Sequence, residues 1–110
     1  MKEFIEGYWR NVNAPGTDIY PFPIANADKF PHQDVFTSKL LRLQEIANKY
    51  GFRGYSICRI CGCKNGSEEY SYISDNVKYI WPSGYLHYII EHNVIPSETF
   101  YNLVMSINNE

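Results

Sequence analysis

The sequence predicts an α+β fold with a zinc knuckle, a β-hairpin and a histidine-bearing helix at its centre. Two pairs of metal-ligand residues stand in the order C-x2-C-x25-H-x4-H, at Cys58, Cys61, His87 and His92. Strand-like segments joined by turn residues lie between the two pairs, and amphipathic helical patterns flank this unit on both sides. The knuckle–hairpin–helix order is typical of small treble-clef-like or C2H2-like zinc folds.

The N-terminal third is predicted to be irregular. Pro15, Pro21, Pro23 and Pro31 exclude a long helix across residues 1–33. A short helical face is expected before them, and an extended edge segment between them; the apolar residues concerned are Phe4, Ile5, Tyr8 and Trp9, then Ile19, Tyr20, Phe22 and Ile24. The 110 residues form one predicted domain, with 1–33 packed on a zinc-binding core at 54–95.

The first long helix is predicted over residues 34–50. Asp34 is the expected N-cap, and Gly51 is the expected C-terminal stop. Apolar residues recur between them at steps of three and four, which places them on one face of the helix: Phe36, Leu40, Leu43, Ala47 and Tyr50. This amphipathic face is expected to pack into the core.

A strand over 52–57 is expected to deliver Cys58, and a hairpin is expected to follow. Its strands are predicted at 69–73 and 77–81, with Asp75-Asn76 as the turn. Trp81-Pro82 should end the second strand, with Trp81 packed behind the metal site.

Two more helices complete the prediction. The first begins near Ser83, carries both histidines and stops at Asn93, and Gly84 lets it approach the hairpin closely. The last helix opens at Ser97-Glu98-Thr99 and has an apolar inner face formed by Phe100, Leu103, Val104 and Ile107.

The four paired residues predict a structural Zn²⁺ site. Cys58 and Cys61 offer two sulfurs from one tight turn, and a left-handed Gly62 would let backbone amides point at them. His87 and His92 complete a closed tetrahedral set at a helix end. Cys63 is expected to point away, although it could replace His92 as the fourth ligand.

Composition narrows the partners and the compartment. The net charge of −2 provides no strong basic field, so general nucleic-acid binding is disfavoured. Neither a signal-peptide core nor a membrane span is visible, and three cysteines clustered within six positions favour metal over disulfides. We therefore expect a cytoplasmic protein without membrane contact.

The motif residues also carry a resemblance. The chain contains C-R-x-C-G at 58–62, N-G-S-x-E at 65–69, and W-P-x-G-x-x-H-Y-x-x-x-H at 81–92. This signature resembles that of a group of small uncharacterised bacterial proteins, over residues 54–100. The resemblance implies a bacterial source and the same Cys/His site, and it implies no particular activity.

The function expected from these observations is non-enzymatic: a zinc-stabilised binding or regulatory module for a protein partner. Tyr70, Tyr72 and Tyr79 of the hairpin are candidate contact residues. One alternative is a metal-dependent hydrolase or HNH-like nuclease, with His92 as general base and Asn102 as orienting residue. Another is a catalytic zinc on three protein ligands, with a carboxylate activating water; its residues would be Cys58, Cys61 and His87, with Glu91 or Glu69.

Overall fold

A computed structural model describes residues 1–9 and 19–108, apart from the side chains of Phe52 and Arg53. It contains helices and strands in a mixed α+β arrangement, as predicted. The strands are β1 (Lys2–Ile5), β2 (Asn48–Ile57), β3 (Lys64–Ser74) and β4 (Val77–Pro82). The helices are α1 (Gln33–Ile46), α2 (Tyr85–His92) and α3 (Glu98–Met105). Among the described residues, none of the helices is long and apolar enough to cross a bilayer.

The strands form one four-stranded sheet in the order β1-β4-β3-β2. β1 runs parallel to β4, and the other neighbours are antiparallel. The helical face predicted over Phe4–Trp9 is therefore wrong at its start, because this segment pairs with the edge that β4 would otherwise leave open. Phe4 turns inward, with its ring 5.9 Å from that of Tyr79, while Ile5 is 45% exposed.

The predicted hairpin is confirmed. Asp75 and Asn76 have φ angles of 49° and 66°, and Ser74 pairs with Val77 on either side of them. Two successive left-handed residues match the twist of antiparallel strands, and Asp and Asn tolerate that conformation best after glycine. The strands are longer than predicted, because β3 already begins at Lys64.

The first helix ends earlier than its periodicity indicated. Ala47 is extended, with φ −77° and ψ 159°, and Tyr50 and Gly51 lie in β2 opposite Glu69 and Glu68. Gly51 is therefore not a helix stop. The inward face is confirmed for the part that remains helical, since Phe36, Leu40 and Leu43 are fully buried.

The N-cap prediction for α1 is also wrong. The cap position is His32, which has a φ of 64° and makes no side-chain capping bond. Asp34 lies in the first turn, where its carboxylate accepts from the Lys29 ammonium at 2.9 Å. The negative charge of Asp34 still interacts favourably with the positive end of the helix dipole, but it does so from within the first turn.

The main core lies between the sheet and the three helices. Trp81 is fully buried there, with its ring 5.6 Å from Tyr70 and 5.3 Å from Phe100. It therefore packs in the centre of the fold, whereas we expected it behind the metal site. Tyr72 and Tyr79 are partly buried and pack against the same core, as does Tyr70.

Residues 19–24 do not join the sheet as the predicted edge segment. Pro21 and Pro23 lack the N–H groups that a sheet edge uses, and Ile24 is 73% exposed. The chain is anchored just afterwards, where the Asn26 amide donates to the His92 carbonyl at 2.9 Å. The Asn26 side chain also donates to the Asn93 carbonyl at 3.1 Å. This anchor fixes the N-terminal segment to the end of α2.

The last helix begins as predicted, with Ser97 as its N-cap. The Ser97 hydroxyl accepts from the Phe100 amide at 3.2 Å and donates to the buried Glu6 carboxylate at 2.8 Å. Glu6 also accepts from the Ser97 amide and from the Tyr85 hydroxyl, each at 2.9 Å. One carboxylate thus joins the end of β1 to α2 and α3, and its burial is offset by three donors.

Candidate metal centre

The knuckle, residues 58–63, is a closed turn between β2 and β3. The Cys58 amide donates to the Cys63 carbonyl at 2.8 Å, and the Gly62 amide donates to the Cys58 carbonyl at 3.0 Å. Gly62 has a φ of 79°, as the sequence predicted, which a side-chain-bearing residue rarely adopts. The Ile60 amide points at the Cys58 sulfur at 3.4 Å. The turn therefore holds Cys58 in place and directs one backbone amide at its sulfur.

The second pair of residues lies on α2. His92 is the last residue of this helix, and Asn93 terminates it in the left-handed conformation, with a φ of 52°. The Asn93 side chain accepts from Gln33 at 2.8 Å and donates to the Asn26 carbonyl at 3.1 Å. The stop that the sequence predicted at Asn93 is confirmed, and these contacts fix the position of the helix end.

The structure brings together Cys58, Cys61, His87 and His92, whose ligand atoms all lie within 4.8 Å of one another. The Cys58 sulfur is 3.4 Å from Nε2 of His92, and the Cys61 sulfur is 3.3 Å from Nε2 of His87. A tetrahedral zinc with ordinary bond lengths places sulfur and nitrogen ligands about 3.6 Å apart. Both distances fit such an ion, so these residues are close enough to hold a metal. The identity of that metal remains a prediction.

Spacing alone did not decide this convergence. Four intervening residues rotate His92 away from His87 on an ideal helix, yet the two ring centroids are 5.1 Å apart at an angle of 73°. His87 lies near the beginning of α2 and His92 at its end. The knuckle places Cys58 against the His92 ring and Cys61 against the His87 ring. The site therefore depends on how β2 and α2 pack.

A small apolar cluster supports the site from behind. Cys58 and Val94 are each 2% exposed, and they pack with the buried Tyr88 and the partly buried Trp9. The rings of Trp9 and Tyr88 meet edge-on at 5.6 Å. Sequence reasoning did not identify either aromatic residue as part of the site, because only the tertiary fold brings Trp9 to Cys58.

Tyr88 also ties the knuckle to α2. Its hydroxyl accepts from the Arg59 amide at 2.7 Å. Burial raises the pKa of Tyr88 to about 12, so the phenol is neutral at physiological pH. An uncharged ring therefore packs with Cys58 and Val94 in the cluster behind the site.

The prediction that Cys63 points away from the site is wrong. Its sulfur lies 3.0 Å from that of Cys61, and both side chains are exposed. Gly62 between them is left-handed, and the two side chains lie on the same side of the turn. Cys63 is nevertheless not a member of the four-residue group.

The carboxylates considered as water activators do not belong to this group either, among the described residues. Glu69 accepts a hydrogen bond from the Tyr8 hydroxyl, and Glu91 is exposed. Asn102, the orienting residue of the nuclease alternative, is exposed on α3. The structure therefore places no carboxylate in the ligand set that it brings together.

A family model described as a domain of unknown function (DUF7919) matches residues 24–105, and the chain belongs to that family. The matched region begins before α1 and extends to the end of α3, so it includes the whole Cys/His site. No curated protein and no solved structure matches the chain.

Proposed function

We propose that this member of the DUF7919 family is a non-enzymatic binding module of the bacterial cytoplasm, in which a structural Zn²⁺ organises an apolar groove for a protein partner. The observation that carries the proposal is that the candidate metal site is continuous with a surface groove. The cluster behind the ligands contains Trp9 and Val94, and the same two residues line a groove on the surface.

Two sulfurs and two imidazole nitrogens are a donor set that suits Zn²⁺. Four protein ligands would fill its tetrahedral shell and leave no position for water, as in structural sites. The metal would join the β2–β3 knuckle to α2, which are otherwise held together by the Tyr88–Arg59 bond and by a small cluster. The metal would therefore act as a cross-link between the knuckle and α2.

The groove has a volume of about 300 Å³ and an apolar wall; its residues are Trp9, Pro21, Phe22, Ile24, Asn26, Val94 and Ile95. Ile24 is 73% exposed and Ile95 is 61% exposed, so large apolar side chains border its opening. A second depression of about 360 Å³ continues from Ile95 towards Phe30 and Tyr101. Adjoining apolar depressions of this kind favour an apolar protein segment as the ligand.

The enzymatic alternatives have less support. The Nε2 atom of His92 faces the Cys58 sulfur at 3.4 Å, so a role as general base would require the ring to leave the ligand set. The zinc enzyme would require a carboxylate beside the metal, and the described ligand group contains none. We therefore propose neither activity.

Metal content tests the first half of the proposal. Elemental mass spectrometry of freshly purified, untagged protein should find about one zinc per chain. Strong chelation should then lower the thermal midpoint, because metal-binding energy contributes to folding energy. A protein that is isolated without metal, cannot be loaded with zinc, and has the same midpoint with and without a chelator would contradict the structural site.

Capture from cell lysate tests the groove through matched variants. Ile95→Asp places a charge at the groove, whereas Ile73→Asp places one on a strand residue that is 52% exposed and does not line the groove. Quantitative mass spectrometry should show a protein that is retained by the wild type and Ile73→Asp but lost with Ile95→Asp. If both variants retain the same captured proteins, the groove is not the binding site for the partner.

A further inference from the structure

We propose that Cys61 and Cys63 form a thiol–disulfide pair whose oxidation by a hydroperoxide releases the bound metal. This inference rests on the proposed zinc site, because it concerns what removes Cys61 from that site. It assigns a role to Cys63, the cysteine that the ligand group leaves out.

Proximity is the first observation. The two sulfurs are 3.0 Å apart, about 1 Å more than a disulfide bond requires. Gly62 between them has open space around its Cα, and an added Cβ there would meet nothing within 4 Å. The turn can therefore adjust locally, while the bond from the Cys58 amide to the Cys63 carbonyl at 2.8 Å keeps its ends together.

Accessibility is the second observation. Cys61 and Cys63 are both exposed, whereas Cys58 is 2% exposed. A small oxidant in solution therefore reaches the adjacent pair before it reaches the inner cysteine. The order of reactivity follows from burial, so the expected product is a single disulfide between Cys61 and Cys63.

The step balances with one hydroperoxide per disulfide. The Cys63 sulfur attacks one peroxide oxygen, the O–O bond breaks, and Cys63 becomes a sulfenic acid while the other oxygen leaves as water or alcohol. The Cys61 sulfur then displaces the sulfenic hydroxyl, which leaves as water when it takes a proton. The two thiols lose two electrons and two protons in total, and the peroxide is reduced.

Oxidation and metal binding exclude one another at Cys61. Once its sulfur is bonded to Cys63, it no longer offers a thiolate, and the ligand set falls to Cys58, His87 and His92. Zinc affinity should fall steeply because one negative charge and one bond are lost. A thiol reductant would reverse the disulfide and restore the site.

The test uses the full chain loaded with zinc. Hydrogen peroxide is added, a chromogenic chelator reports released zinc, and intact-mass and peptide analysis report the disulfide. We expect zinc release to match formation of a Cys61–Cys63 bond, with a loss of about 2 Da, and dithiothreitol with zinc to restore the starting state. Release without this disulfide, or a disulfide that includes Cys58, would overturn the proposal.

Variants at Cys63 provide the decisive comparison. Cys63→Ser and Cys63→Ala should both retain zinc before oxidation, and both should release it about tenfold more slowly than the wild type, because the thiol that reacts first with the peroxide is absent. Release at the wild-type rate from variants that retain zinc would show that Cys63 has no such role. A wild type that never holds zinc would instead contradict the proposed zinc site. The Cys61–Cys63 disulfide could then still be mapped in the metal-free chain.

Discussion

The main core and the cluster behind the candidate metal ligands differ in what holds them together. The core packs large apolar and aromatic side chains from the sheet and three helices around Trp81, which is fully buried. Among the described residues, the second cluster has only Cys58, Tyr88 and Val94 as buried members. Apolar burial alone can stabilise the first region, whereas the second buries much less apolar surface, and the proposed metal would add a cross-link there.

Truncating the centre of the main core should have the largest effect. Trp81→Ala removes a fully buried indole that contacts Tyr70 and Phe100, and we expect a loss of about 3–5 kcal/mol in unfolding free energy. Urea unfolding followed by circular dichroism measures it. A loss below about 1 kcal/mol would mean that this region is not the main source of stability.

Removing a metal ligand should have a smaller and more local effect. Cys58→Ser should abolish zinc binding and cost about 2–4 kcal/mol, since the knuckle loses its cross-link to α2. Hydrogen exchange should become faster at residues 58–63 and 87–94 but stay slow in α1 and α3. Equal loss of protection everywhere would show that the two regions unfold as one unit.

Gly84 tests the close contact between the beginning of α2 and β3. A Cβ at Gly84 would lie 2.5 Å from Oδ1 and 2.7 Å from Cγ of Asn65, so Gly84→Ala should cost about 1–3 kcal/mol because the Asn65 side chain must shift. Gly51→Ala is the matched control, because a Cβ there meets nothing within 4 Å. Thermal unfolding compares them, and equal midpoints would show that the Gly84 approach is unimportant.

Tyr85 tests the polar part of the main core. Burial, and then the neighbouring Glu6 carboxylate, raises its pKa well above the ordinary value of 10.0. The unfolded chain therefore releases this proton first, so the stability contribution is complete below pH 10 and is lost as the pH rises above it.

Tyr85→Phe should cost about 1 kcal/mol at neutral pH, because one of the three Glu6 donors is lost. Its unfolding free energy should then decline less steeply above pH 10 than that of the wild type. Urea unfolding at pH 8 and pH 11 provides the comparison. An identical decline in both proteins would contradict the raised pKa.

Expectations from the sequence succeeded where the physical cause is local. Left-handed Asp75-Asn76 and Gly62 follow from residue chemistry at single positions, and the inward face of α1 follows from helical periodicity. The four residues of the candidate site were also found by their types and spacing, and the structure brings their ligand atoms together.

The expectations that failed concern features that depend on contacts between distant parts of the chain. β1 pairs with β4 across more than seventy positions, and β2 takes residues 48–51 away from the end of a helix whose periodicity continued through them. Trp9 reaches Cys58 and Trp81 enters the main core because of packing between distant segments. Local propensity is a weak preference that such contacts override.

The sequence by itself determined the turns, the helix faces and the chemical identity of the Cys/His ligands, because each depends on a few neighbouring residues. Only the tertiary structure decided which strand covers the edge of β4 and which aromatic residues support the site. Those outcomes depend on the competition among all segments to bury apolar surface and satisfy backbone hydrogen bonds, and no single stretch of the chain contains that information.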